Sequence, residues 1–321
     1  MASTQEQAPT LGTTPETPAI TPQVIDQVTH NLLEAPTAIL SQLDEVQREM
    51  DSLKDELTLL RRRDDTLNFY MHRLDEELRL AARLQQDFLP KSLPKLGNVR
   101  FHTLYRPAGY VSGDLYDVMR LDERHVGFYI ADAVGHGMPA ALLTMFIKHA
   151  LETKQILQGG YRLLEPGESL AKLNEALLDQ HLSQATFATA LYGMIDVQTL
   201  VVKLACAGHP APIVLHADGS HEMAQTEGSL LGIFPDEHFA NTSIQLHPGD
   251  RMLLFTDGIE VAFGDGNSDD DALRWRRELL ARSSMNTQDL MAEFAQSVDS
   301  ESGSLEPRDD LTMVMLEVGP E

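Results

Sequence analysis

Asp114 and Asp132 are the first residues from which chemistry can be read, because the chain between them is built to bring them together. Apolar and β-branched runs at 115–121 and 126–131 flank the turn Asp122-Glu123-Arg124, a pattern that predicts an antiparallel hairpin with one carboxylate near each end. Two adjacent carboxylates repel each other, and a divalent cation relieves that repulsion; aspartate oxygens suit hard ions such as Mg²⁺ or Mn²⁺. Gly135 and Gly137 then allow a tight turn into a helix starting at Met138-Pro139-Ala140. Its free N–H groups would favour an anion beside the metal.

Two acidic stretches lie far downstream. Arg251-Met252-Leu253-Leu254-Phe255 reads as a short strand ending in Thr256-Asp257-Gly258, and Arg308-Asp309-Asp310 precedes the strand-like Leu311-Thr312-Met313-Val314-Met315-Leu316. Taken in order, Ser-Gly-Asp114, Ala-Asp132-Ala-Val-Gly-His-Gly, Thr-Asp257-Gly and Asp309-Asp310-Leu-Thr resemble the metal-dependent (PPM, type 2C) serine/threonine phosphatases, and specifically their bacterial SpoIIE/RsbU branch. The resemblance runs from about residue 80 to the C-terminus.

That resemblance implies a fold, a cofactor and a set of roles. The fold is α+β, an αββα sandwich of two antiparallel sheets flanked by helices; the cofactor is a pair of Mn²⁺ or Mg²⁺ ions that activate a shared water against a phosphoryl group. Asp132 and Asp257 would each touch both ions or their bridging water, Asp114 would act through metal-bound water, and the Ala133 carbonyl would complete one shell. The family often has glycine where this chain has Ala133. Asp309 would hold the second ion, with Asp310 a further candidate, since neighbouring strand residues point to opposite faces. His136 could bond an outer water or protonate the leaving serine oxygen, or simply fix the loop. The implied substrate is phosphoserine or phosphothreonine on a STAS-domain anti-anti-sigma factor of a partner-switching pathway. A catalytically silent scaffold that only binds a phosphoprotein would be marked by a missing ligand, yet all four acidic motifs are present.

Other candidates read as structural. Asp117 and Asp122 fit a surface position and a turn, Asp269-Asp270-Asp271 fits a solvated loop, His209 in Ala-Gly-His-Pro-Ala-Pro fits a turn, and Arg106 has no compelling spacing for phosphate contact.

The elements that must position these residues follow from periodicity. Residues 1–36 are expected to be a disordered tail, rich at the start in Thr, Pro, Gln and Ala. Over 37–90 the apolar spacing alternates between three and four, with Leu43, Met50, Leu57, Met71 and Leu78 at heptad position a and Ile39, Val46, Leu53, Leu60, Leu67, Leu74, Ala81 and Phe88 at d. Asp64 and Gln85 are the polar exceptions at a. This predicts a homodimeric coiled coil, with Glu49 facing Lys54 and Glu56 facing Arg61 of a second copy, that runs without a flexible break into the catalytic domain and ends at Pro90. Continuity of that kind suggests a linker helix whose position regulates activity. Residues 91–321 form the expected phosphatase domain, with helices at 139–158, 169–182, 273–282 and 287–298 among strand-like runs.

Net charge is −24, of which residues 91–321 contribute 17 bases against 33 acids (−16). Such a surface disfavours nucleic acid and anionic membranes as partners. One cysteine, Cys206, allows no internal disulfide, and no apolar run is long enough for a membrane span, so the expectation is a cytoplasmic protein.

Overall fold

A computed structural model describes residues 21–182, 186–262, 269–300 and 309–320. The first twenty residues of the expected tail, and the side chains of Asp269, Asp270 and Asp271, lie outside the described residues. The chain divides into two compact units, Met1–Arg73 and Leu74–Glu321.

The described part of the first unit is helical. Helix α1 (Pro22–Phe88) begins upstream of the boundary expected at residue 37, and its last turns belong to the second unit. Within that unit the described heptad positions are uncovered in the single chain: Leu43, Leu53 and Leu60 are 58%, 54% and 51% exposed. Among the described residues no helix is long and apolar enough to cross a membrane.

The second unit is assembled from β1 (Val99–Arg106), β2 (Asp114–Arg120), β3 (His125–Ala133), α2 (Met138–Ala150), β4 (Lys154–Leu157), β5 (Gly160–Leu163), α3 (Pro166–Leu178), β6 (Ala188–Asp196), β7 (Val201–Ala207), β8 (Ile213–Leu215), β9 (His221–Met223), β10 (Thr242–Gln245), β11 (Arg251–Phe255), α4 (Gly258–Ala262), α5 (Asp269–Ala281), α6 (Thr287–Ser300) and β12 (Leu311–Val318). One sheet has the order β1-β12-β11-β8-β9 and the other β10-β7-β6-β3-β2, with every strand pair antiparallel.

Strand alternation explains the layers. In β3, Val126, Phe128 and Ile130 face the space between the sheets, while Tyr129, Ala131 and Ala133 pack with Ala140, Leu143 and Ile147 of α2 and Leu170 and Leu173 of α3. In β12, Val314, Leu316 and Val318 fill the same inter-sheet core, while Met313 and Met315 join Trp275 of α5 and Phe294 of α6 on the outer face. Phe255 and Trp275 meet edge to face at 4.6 Å. Three apolar layers therefore hold an αββα sandwich, as the resemblance implied.

One expected element is different. The helix expected over 139–158 stops at Ala150, and Lys154–Leu157 pairs with Gly160–Leu163 as a hairpin. Gly159 turns it at φ 93°, a left-handed conformation suited to glycine. Ile156 and Leu157, which fall inside the expected helix, are exposed on the hairpin.

Candidate metal centre

Asp114 and Asp132 are direct register partners at the ends of β2 and β3, so the expected hairpin forms and juxtaposes them. Asp257 follows β11 of the opposite sheet, and Asp309 and Asp310 precede β12, which pairs with β11. Gly258 is what allows the last two to converge: a Cβ there would lie 1.9 Å from the Asp310 carbonyl oxygen. The Asp257-Gly pair is thus a close-packing device as well as a turn.

The electrostatics place the carboxylates at one corner. Burial, then the charges of Asp257, Asp309 and Asp310, push the Asp132 pKa up to about 7. Burial and the neighbouring Asp257 likewise raise Asp309, opposed first by the Asp310 N–H that donates to its Oδ1 at 2.9 Å and then by His136. Asp309 presents its edge to solvent, yet the surrounding protein still removes enough water to shift it. Asp114 is 1% exposed, and burial drives its pKa well up despite hydrogen bonds from Thr312 (2.6 Å) and Thr256 (2.8 Å) to Oδ2.

The two remaining candidates have backbone functions. Both oxygens of Asp310 accept main-chain N–H groups, from Ala108 and Gly113, at 2.6 Å each. The Ala133 carbonyl lies over Gly113, 3.1 Å from where a Cβ would stand, and the Ala133 N–H donates to the Gly113 carbonyl at 3.0 Å. As the side chains stand, no three His, Cys, Asp or Glu among the described residues are close enough to hold one ion. What the corner offers is a set of hard oxygen donors held under mutual repulsion, the composition that suits Mg²⁺ or Mn²⁺.

Sequence reasoning missed the groups that orient these carboxylates. Thr256 and Thr312 occupy strand positions next to the acidic motifs, and Thr256 Oγ1 also accepts the Thr312 N–H at 2.9 Å. Gln85, counted as a polar residue of the heptad seam, is buried in the second unit. Its Nε2 donates to the Ser112 carbonyl (2.7 Å), and its Oε1 accepts the Ser112 N–H (2.9 Å). Ser112 Oγ in turn accepts the Asp114 N–H at 3.0 Å. A lone Gln in a helix gives no sign of such a target, although its break in an apolar seam is a signal.

The other candidates are accounted for locally. Asp117 pairs with Lys148 of α2, Asp122 accepts the Arg124 and His125 N–H groups within the β2–β3 turn, and Arg106 makes a two-pronged pair with Asp299.

The raised Asp132 and Asp309 groups predict an unusual pH dependence. A carboxyl titrating near 3.9 in the unfolded chain and near 7 when folded binds more protons in the native state between those values, so the metal-free fold loses stability as pH rises through that window. Asp122, Asp196 and Asp250 are shifted down, and their stabilisation is complete by about pH 5.5. Buried His209, its pKa lowered to about 3, works the other way up to its unfolded value near 6.5, so the effect is read as a difference: from pH 5.5 to 8 in chelator the parent's urea midpoint should fall relative to that of Asp132→Asn. A difference that stays constant or rises over this range contradicts the placement of these carboxylates.

A sandwich of two antiparallel sheets between helices, with carboxylates gathered at one end of the strands, is the PP2C fold: the solved SiaA-PP2C domain of Pseudomonas aeruginosa has a TM-score of 0.65 at 23% identity, over 77% of this chain and 98% of that one. The chain belongs to the family described as Stage II sporulation protein E (SpoIIE), whose profile matches residues 122–319. It is similar to the phosphoserine phosphatase RsbP of Bacillus subtilis (strain 168), 32% identical over 57% of this chain and 45% of that one. The phosphoserine phosphatase RsbU of the same organism is 28% identical over 60% of this chain and 56% of its own length. The chain thus spans about half the length of these relatives.

Proposed function

We propose that this chain is a metal-dependent protein serine/threonine phosphatase, acting on phosphoserine or phosphothreonine of a STAS-domain anti-anti-sigma factor. The observation that carries the reading is the convergence of carboxylates from both sheets on one corner, where Asp257, Asp309 and Asp310 raise the pKa of Asp132. Similarity to RsbP and RsbU, each named a phosphoserine phosphatase, supports the reaction class.

Within this reading Asp132, Asp257 and Asp309 would hold two Mn²⁺ or Mg²⁺ ions, with the Ala133 carbonyl as a further oxygen donor. When bound, such ions supply an activated water and neutralise phosphoryl charge. Asp114 keeps one oxygen, Oδ2, on the two threonine hydroxyls, which leaves Oδ1 as the oxygen that would accept from a metal-bound water. Asp310 serves as the clamp that holds the loop between β1 and β2, since both its oxygens are taken by main-chain N–H groups. His136, beside Asp309, delivers a proton to the leaving seryl oxygen.

The uncovered seam of α1 supports self-association as a parallel dimer, and the Gln85–Ser112–Asp114 chain of hydrogen bonds supports control of the centre by the end of that helix. Incubating the purified chain with phosphorylated STAS proteins of the same cell, with Mn²⁺ and with chelator, tests the substrate. The expected result is Mn²⁺-dependent release of phosphate from one of them; retention of phosphate by all would overturn the assignment.

A further inference from the structure

The chain passes from one sheet to the other between β7 and β8, and His209 stands in that crossing. Gly208, with φ 63°, bridges to Ala190 of β6 and donates its N–H to Gly228, which turns the chain inward. His209 is consequently 6% exposed, and the Cys206 thiol donates to its carbonyl at 3.1 Å. Burial lowers its pKa to about 3, so the ring is neutral and carries one N–H.

The ring's neighbours belong to the two strand ends that carry the centre. Nδ1 is 2.8 Å from the Thr189 hydroxyl, and Thr189 is the register partner of Asp132. On the other side the ring meets the main-chain carbonyl of Phe255, two residues before Asp257. Nε2 is buried and makes no well-formed hydrogen bond. Only one tautomer suits both neighbours: the Thr189 hydroxyl donates to Nδ1, and Nε2–H is directed to the carbonyl side. A rigid aromatic ring then spans the gap between β6 and β11, where a flexible side chain would let the gap vary.

We propose that His209 is a positioning residue for the metal centre: a brace between the sheets that sets the distance from Asp132 to Asp257. The inference rests on the metal reading above. A merely structural histidine would, on removal, lower stability and leave the ion affinity of the folded protein alone. A brace would change affinity at constant fold, because groups that orient ligands alter metal binding by about 10–100-fold.

The test is a Mn²⁺ titration of the full chain followed by electron paramagnetic resonance, with circular dichroism and urea midpoints measured in chelator. His209→Ala should weaken Mn²⁺ binding by about tenfold or more with native circular dichroism, and His209→Asn, which keeps an acceptor near the Nδ1 position and is too short to reach the Phe255 side, should not restore it. Thr189→Val removes the hydroxyl and should weaken binding in the same direction; it decides the matter if His209→Ala fails to fold. Folded His209→Ala, or Thr189→Val in its place, binding Mn²⁺ within about twofold of the parent overturns the brace while leaving the metal reading intact. A parent chain that binds no Mn²⁺ overturns both.

Discussion

Asp132→Asn and Asp257→Asn are each expected to cut Mn²⁺-dependent hydrolysis of p-nitrophenyl phosphate by about 10³-fold or more, equivalent to roughly 4 kcal/mol of transition-state stabilisation. Asparagine keeps the shape of the side chain and removes the charge that holds a cation. The Asp132 substitution should do the opposite to the fold. Burial and three neighbouring acids push its pKa up to about 7, so above that pH the fold carries an unfavourable charge there, and the neutral isostere should raise the metal-free urea midpoint at pH 8 while activity is lost. That opposition separates a functional carboxylate from a structural one. Asp309 and Asp310 should divide the same way: Asp309→Asn loses metal without unfolding, whereas Asp310→Asn loses an acceptor for one of two main-chain N–H groups and destabilises the fold. Equal hydrolysis by the parent and both single variants, Asp132→Asn and Asp257→Asn, would sink the enzyme reading in favour of a silent, phosphoprotein-binding scaffold.

The second large effect concerns α1. Leu53→Asp combined with Leu60→Asp is expected to convert a dimer into a monomer in light scattering coupled to gel filtration. Both leucines are more than half exposed in the single chain, and each is worth about 1.5–3 kcal/mol when buried against a partner helix. The neighbouring charges favour a parallel pair, since Glu49 would meet Lys54 of a second copy and Glu56 would meet Arg61. Among the described residues Lys54 pairs with the exposed Asp51 at 3.2 Å, and an exposed pair of that kind contributes little. A parent chain already monomeric, or a double variant of unchanged mass, would refute the seam as a dimer interface.

Much of the fold was legible because burial repeats with the period of the element. Near-continuous apolar runs in β3 and β12 announce strands buried on both faces, and the three-four spacing of α1 announces a long helix. Reading failed where the same residues fit two periods. Ile156 and Leu157 could extend α2 or form a hairpin, and the turn at Gly159-Gly160 decides between them. The short strand β9 and helix α4 have too few residues for any period to register.

Acid type and order determined by themselves which carboxylates were candidates and which family the chain resembles, because a hard-cation site is written in residue identity. The tertiary structure alone decided which oxygens remain available. Asp310 spends both of its oxygens on the main chain and Asp114 spends one on two threonines, while Asp132 and Asp309 are left repelling their neighbours. It also decided that Gln85 reaches Ser112 and that His209 lies between Thr189 and Phe255. Hydrogen bonds between residues far apart in sequence depend on how sheets and helices pack, and no local pattern of side chains encodes them.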